Sequence, residues 1–417
     1  MLRALRSVLC WVIGAHRRIT LGFPHASYPR ASKAASNVLV ADEQAPNAPG
    51  TQRGGRALKS ACVHIFVWPT GPLAKDRGPN ILTTPAPGRG PLRGRRRPNR
   101  RNDRASGGGG VSWRRRVIIA RVKEEDIYFY SDGHKLVGTL YAPDDMEAKK
   151  LPHIIVCSGY KGFNAFYPRL FSRYLTKYGY SCLGFDYRGF AESGGPRGRV
   201  ILPEQVEDIK NSITFAQTLP QVDKEKIGLL GWGMGAANVI ELAGHDKRVK
   251  AVAAVNGFYD GERWLKSTHT PESWNDLLKA VEEDRVRRVT TGKSKRVESF
   301  HHYSLDPDTE AYVQAELDPL IEMSGRRVDL QLTESILAAK PENVAAAISP
   351  RPLFVGHGKH NKLHPPQASE QLYAKAGEPK TLYWIDGKHN DFMYEGHPVL
   401  GDLAARLAEF FMVLEQA

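Results

Sequence analysis

Lys226-Ile227-Gly228-Leu229-Leu230-Gly231-Trp232-Gly233-Met234-Gly235 is followed directly by Ala236-Ala237-Asn238-Val239-Ile240-Glu241-Leu242-Ala243. The opening five residues read as a buried strand and the closing eight as a tightly packed helix. Between them the chain must turn sharply, and Gly231 and Gly235 permit both that turn and a close strand–helix contact. Strand, glycine-bounded turn and helix form the setting in which Gly-x-Ser-x-Gly displays a nucleophilic serine at the carboxyl end of a sheet. Here the central position is Gly233, which has no side chain. The turn is predicted to form without its nucleophile.

Upstream, residues 127–130 and 135–141 are rich in aromatic and β-branched side chains and flank Ser131-Asp132-Gly133, which reads as a β-hairpin. Pro152 introduces the apolar run 153–157, suited to a central parallel strand. Tyr167, Leu170, Phe171, Tyr174, Leu175 and Tyr178 recur at helical spacing, with Gly179 as the stop. A strand over 180–185, a helix over 203–219 and a strand over 249–255 continue the alternation. Downstream lie strands at 352–355 and 381–385 and helices over 366–376 and 398–414. This order predicts an α/β fold with a mostly parallel eight-stranded sheet and helices on both faces. Roughly a hundred residues separate 255 from 352, too many for a structureless loop. Thr270-Pro271-Glu272 starts a helix there, with Trp274, Leu277, Leu278 and Val281 at helical spacing. A helical cap over about 258–348, inserted between strands 6 and 7, is therefore expected to shape a pocket at the carboxyl ends of the strands.

The net charge of +14 is unevenly distributed. Residues 1–116 hold 22 Lys and Arg against 4 Asp and Glu, whereas the rest of the chain holds 37 against 41. The Arg-, Pro- and Gly-rich opening has no sustained period and cannot bury a core, so 1–116 is expected to be disordered. It reads as an extension from too early a start codon, as a mitochondrial presequence, or as a basic arm for nucleic acid. The domain itself is placed at 117–417. Its charge balance gives no reason to expect nucleic-acid binding, and the early apolar run 8–15 is too short to span a bilayer. Cys10, Cys62, Cys157 and Cys182 form no CxxC pair and no metal spacing, which points to a reducing compartment. The expected location is cytoplasmic, or mitochondrial if the presequence is genuine. No metal or cofactor is implied. The expected partner is a small-molecule substrate, with a second copy of the chain as a further candidate.

Three more stretches carry a family likeness. Asp186-Tyr187-Arg188-Gly189-Phe190-Ala191-Glu192-Ser193 is similar to the Asp-x-Arg-Gly-x-Gly-x-Ser loop of α/β-hydrolases. His357-Gly358-Lys359-His360-Asn361-Lys362-Leu363-His364-Pro365 resembles their triad-acid segment, and Gly387-Lys388-His389-Asn390-Asp391-Phe392 their triad-histidine segment. From about 122 to 417 the chain resembles this superfamily. Its wording is nearest the dienelactone-hydrolase-like, dipeptidyl-peptidase-like and fungal polyketide-transferase-like branches. The resemblance places the triad at Gly233, Asn361 and His389, and the oxyanion hole at the N–H groups of Met234 and Tyr160. Two triad positions depart from the pattern. Gly233 cannot form an acyl-enzyme. Asn361 can accept a bond from His389 but brings no charge to an imidazolium; in a serine protease that Asp→Asn change costs about 10⁴ in turnover.

Other groups are candidates to fill these gaps. Asp260 stands where some members of the fold keep an alternative acid, against the plainer reading of a turn Asp. His301 and His302 are candidates to meet substrate, against exposed polar residues of a cap. Trp232 flanks the turn and either packs or lines the pocket. Cys157 and Ser158 lie near the oxyanion loop but off the elbow, and His360 and Asp391 suit orienting roles. Three functions remain open. One is an enzyme acting on a small ester, thioester or polyketide-like compound through His389 as general acid or base. The others are a silent ligand-binding member of the fold and a hydrolase with a displaced nucleophile.

Overall fold

The computed structural model describes residues 121–144 and 150–416. The expectations for 1–116, Cys10 and Cys62 included, lie outside the described residues. Strand β1 (Val122–Ser131) folds onto β2 (His134–Pro143) through Asp132 and Gly133, whose φ angles are 47° and 78°. β2 pairs antiparallel with β4 (Ser181–Phe185). Every further pairing in this sheet is parallel, through β3 (Leu151–Cys157), β5 (Val222–Trp232), β6 (Val249–Val255), β9 (Leu353–Gly358) and β10 (Lys380–Ile385). The strand order is β1-β2-β4-β3-β5-β6-β9-β10. This is the expected eight-stranded, mostly parallel sheet.

Each central strand feeds two cores, because its side chains alternate between faces. Ile155 and Leu229 enter one apolar cluster, while Ile154, Val156 and Leu230 enter the other. Helices Leu202–Ala216 and Met234–His245 bring Ile209, Ile213 and Val239 to the first. Helices Tyr167–Thr176 and Pro398–Phe411 bring Phe171, Leu403 and Leu407 to the second.

Some boundaries differ from expectation. β5 starts at Val222, four residues early, because Val222 pairs with Leu151. The final helix stops at Phe411, and a short helix, Val413–Gln416, follows. The segment between β6 and β9 is not wholly helical. Beside helices Gly261–Ser267, Pro271–Thr291 and Gln331–Ala338 it holds an antiparallel ribbon, β7 (Arg296–Glu298) with β8 (Arg327–Asp329). Helix Pro271–Thr291 begins at Thr270, whose side chain accepts the Ser273 N–H. Trp274, Leu277 and Val281 are buried on it, but Leu278 is exposed. The buried stripe continues to Asp284 instead, whose carboxylate accepts from Ser294 Oγ and the Lys295 amide. Among the described residues no helix is long and apolar enough to cross a membrane.

Candidate active site

The elbow is built by contact rather than by side-chain chemistry. A Cβ on Gly231 would lie 2.3 Å from the carbonyl oxygen of Gly235, and one on Gly235 would lie 2.2 Å from that of Ser158. Only glycine at both positions lets the first turn of helix Met234–His245 rest on the end of β3. Gly233 sits between them as the N-cap, at φ 58° and ψ −123°, a conformation that strains any L side chain. The space beside it is nevertheless open, since a Cβ there would meet only the Gly159 Cα, at 4.0 Å. Met234 begins the helix, so its N–H belongs to the first turn, which has no partner within the helix. The Tyr160 N–H likewise has no acceptor among the described residues. Met234 and Tyr160 both line one space beside Gly233.

That space is a cavity lined mostly by apolar and aromatic side chains. Gly233, Met234, Tyr160, Trp232, His389 and Ser158 all line it, so the structure brings together six of the residues singled out from sequence. His389 is buried, and burial, reinforced by His364 and His357, holds its imidazole well below the ordinary histidine range. It is therefore neutral. Its ring lies against Trp232 with centroids 4.8 Å apart.

Asn361 is buried, and its Oδ1 accepts the His364 N–H at 3.0 Å. Its Nδ2 and the Nδ1 of His389 both lack a hydrogen-bond partner among the described residues. The expected Asn361–His389 hydrogen bond is therefore not made. What holds the histidine loop is Asn256, just after β6 at φ 52°. Its Nδ2 donates to the His389 carbonyl (3.1 Å), its Oδ1 accepts the Gly358 N–H (2.7 Å), and its own carbonyl accepts from His364 Nδ1 (2.5 Å). That last bond puts the His364 proton on Nδ1 and leaves Nε2 as an acceptor. Burial lowers His364 to about 3, and its ring also lines the cavity. Neither Asn256 nor His364 was singled out from sequence. The Asn256-Gly257 pair at a strand end was the available signal, because Asn tolerates positive φ.

Other candidates are placed elsewhere. Asp260 caps helix Gly261–Ser267, accepting the Arg263 N–H at 2.9 Å, and its carboxylate also faces Arg263 and Lys340. It does not line the cavity, and the structure does not bring it to His389. His302 is buried with Nδ1 on the Thr333 hydroxyl, and His301 borders a neighbouring surface depression with His269 and Glu310. Neither lines the cavity beside the elbow. The buried Cys157 thiol is pushed up by burial and is inert as a nucleophile, whereas Ser158 does line the cavity. Asp391 accepts the Lys388 N–H at 2.8 Å and so shapes the loop that carries His389. His360 is exposed, near Asp386.

Missed altogether was Lys161. It is 9% exposed, lines the cavity and bonds to Ser299 and Ser324, which lie in the segment between β6 and β9. Sequence could not flag it, because its neighbours there lie 138 and 163 residues away.

Sheet order, elbow and histidine loop together define an α/β-hydrolase. Residues 148–396 match the family model described as serine aminopeptidase, S33, and the chain belongs to that family. An uncharacterised 31.7 kDa protein of the traX-finO intergenic region of Escherichia coli is 31% identical over 249 residues, covering 59% of this chain and 86% of that protein. Polyketide transferase ATR5 of Stachybotrys chlorohalonatus is 25% identical over 279 residues, covering 65% and 91%. The crystal structure of hypothetical protein PA2218 from Pseudomonas aeruginosa matches with a TM-score of 0.62 at 24% identity, covering 71% and 95%, a likeness of fold.

Proposed function

We propose that this chain binds a small acyl or carbonyl compound in the cavity and acts on it without forming an acyl-serine. The carbonyl oxygen sits on the amides of Met234 and Tyr160, and His389 serves as a neutral acid–base group beside it. The observation that carries this reading is Gly233, held in the strained elbow conformation with open space where a side chain would stand. In this reading the elbow turn aims the two amides, and the atom that would attack is absent because residue 233 is glycine. A buried imidazole with no carboxylate partner is a weak base, so chemistry that puts full charge on it is slow. Activated acyl groups such as thioesters, and enolising carbonyl compounds, suit it best. The polyketide transferase among the relatives is in keeping with an acyl substrate of this kind.

The cap role of the segment between β6 and β9 belongs to the same proposal. It supplies the cavity wall through Trp264, Phe300 and Tyr303. A silent binding protein is the second reading, favoured by the unpartnered Nδ1 of His389. The deciding experiment is turnover of a panel of short thioesters and activated esters by the wild type and by His389→Ala. Loss of turnover in the folded variant supports the enzyme; equal turnover by both removes His389 from the chemistry, and no turnover by the wild type leaves the binding reading.

A further inference from the structure

Lys161 is a buried cation without a counter-ion. Among the described residues no carboxylate lies within ion-pair distance of its ammonium. Its Nζ donates to Ser299 Oγ at 2.9 Å and to Ser324 Oγ at 3.2 Å. Those hydroxyls donate onward to the carbonyls of Arg326 and Ile321, so both are committed to accepting from the amine. The rings of Tyr160 and Phe300 lie 5.4 and 5.5 Å from Nζ. An ammonium carries three donors, and two are used.

A lysine serving only to pin this loop to the neighbouring segment would be a costly choice. A neutral donor could make the same two bonds without burying a charge. Burial lowers Lys161 to about 8, opposed by the more distant Asp318. The phenol beneath it, Tyr160, is held protonated and brings no charge, its hydroxyl donating to the Ser299 carbonyl. Near neutral pH most of the population is therefore cationic, facing an apolar cavity that offers it no anion.

We propose that Lys161 is the anion-recognition residue of this cavity, and that the carbonyl compound bound there carries a carboxylate. The proposal rests on the carbonyl-binding reading of the site and names its substrate class. Tyr160, which precedes Lys161, supplies one of the amides for the carbonyl oxygen. A carboxylate on Lys161 thus falls near that carbonyl, and its arrival neutralises the buried charge.

The test uses hexanoate and its neutral analogue hexanamide as probes on the full chain, followed by tryptophan fluorescence, since Trp232 and Trp264 line the cavity. Wild type should bind hexanoate at least about tenfold more tightly than hexanamide near neutral pH. Hexanoate affinity should fall by up to about tenfold per pH unit above about 8, with hexanamide unchanged. Lys161→Arg should keep the preference and Lys161→Met should abolish it. Equal affinities in wild type, no binding of either probe, or a preference that survives Lys161→Met would overturn the proposal. The wild-type comparison and its pH profile need no variant, so a misfolded Lys161→Met leaves the test intact. Equal binding of hexanoate and hexanamide in a protein whose thioester turnover is lost in His389→Ala would overturn the anion role while the carbonyl reading stands. Hexanoate preference in a protein whose turnover ignores His389→Ala would do the reverse.

Discussion

The imidazoles of His364 and His389 meet edge-on, with ring centroids 4.9 Å apart. Burial disfavours a charge on either ring, and each would repel a charge on the other. His153 and His302, lowered to about 3, and His357, lowered to about 4, are also buried. A histidine whose folded pKa is depressed contributes stability that is present above its unfolded value of about 6.5 and lost as pH falls. Between about pH 6.5 and 5.5 each of these groups should remove on the order of 1 kcal/mol. Denaturant midpoints measured over that window should drop steeply, and a flat profile would show that these rings are protonated in the folded protein.

Asp186 works in the opposite sense. Burial raises its carboxyl to about 7, against the hydrogen bond from the Asn164 amide at 2.7 Å. Its protonated form favours folding at low pH, and that contribution disappears as pH rises through about 7. Asp186→Asn can still accept the Asn164 amide and never ionises. It should gain roughly 1–3 kcal/mol relative to wild type at about pH 8 and little at about pH 4. A variant less stable than wild type at the higher pH would contradict this.

The three elbow glycines should respond differently to alanine. Gly231→Ala and Gly235→Ala each drive a Cβ into backbone oxygen, at 2.3 and 2.2 Å, and should lose more than about 3 kcal/mol or fail to fold. Gly233→Ala meets open space and should lose roughly 1–3 kcal/mol from backbone strain alone. Thermal melts of the three variants decide it.

Restoring a serine tests the triad positions. Gly233→Ser should fold with a similar loss, remain a poor esterase and react slowly with fluorophosphonate, because His389 lacks an anionic partner. Adding Asn361→Asp can leave one oxygen on the His364 amide and turn the other toward His389. The double variant should then label rapidly and show burst kinetics, well beyond either single change. Equally fast labelling of Gly233→Ser would mean that another group already assists His389. An inert, folded double variant would remove Asn361 from the triad.

Much of this protein is legible from its residues in order. The elbow glycines, the apolar runs at 153–157 and 249–255, and the last helix are local patterns whose period or sterics admit one structure. The missing nucleophile at 233 is read directly, because a glycine has no alternative rotamer to consider. Distance along the chain is what sequence cannot cross. Asp260 looked available to His389 until Arg263 and Lys340 claimed its carboxylate. Leu278 kept the helical spacing yet faces solvent, since the packed stripe of its helix turns toward Asp284. Asn256 and His364 join loops separated by 108 residues, and Lys161 meets hydroxyls more distant still. Those contacts arise only when the sheet brings the carboxyl ends of its strands together. Burial and charge at the site are properties of that assembly, and no single stretch of the chain contains them.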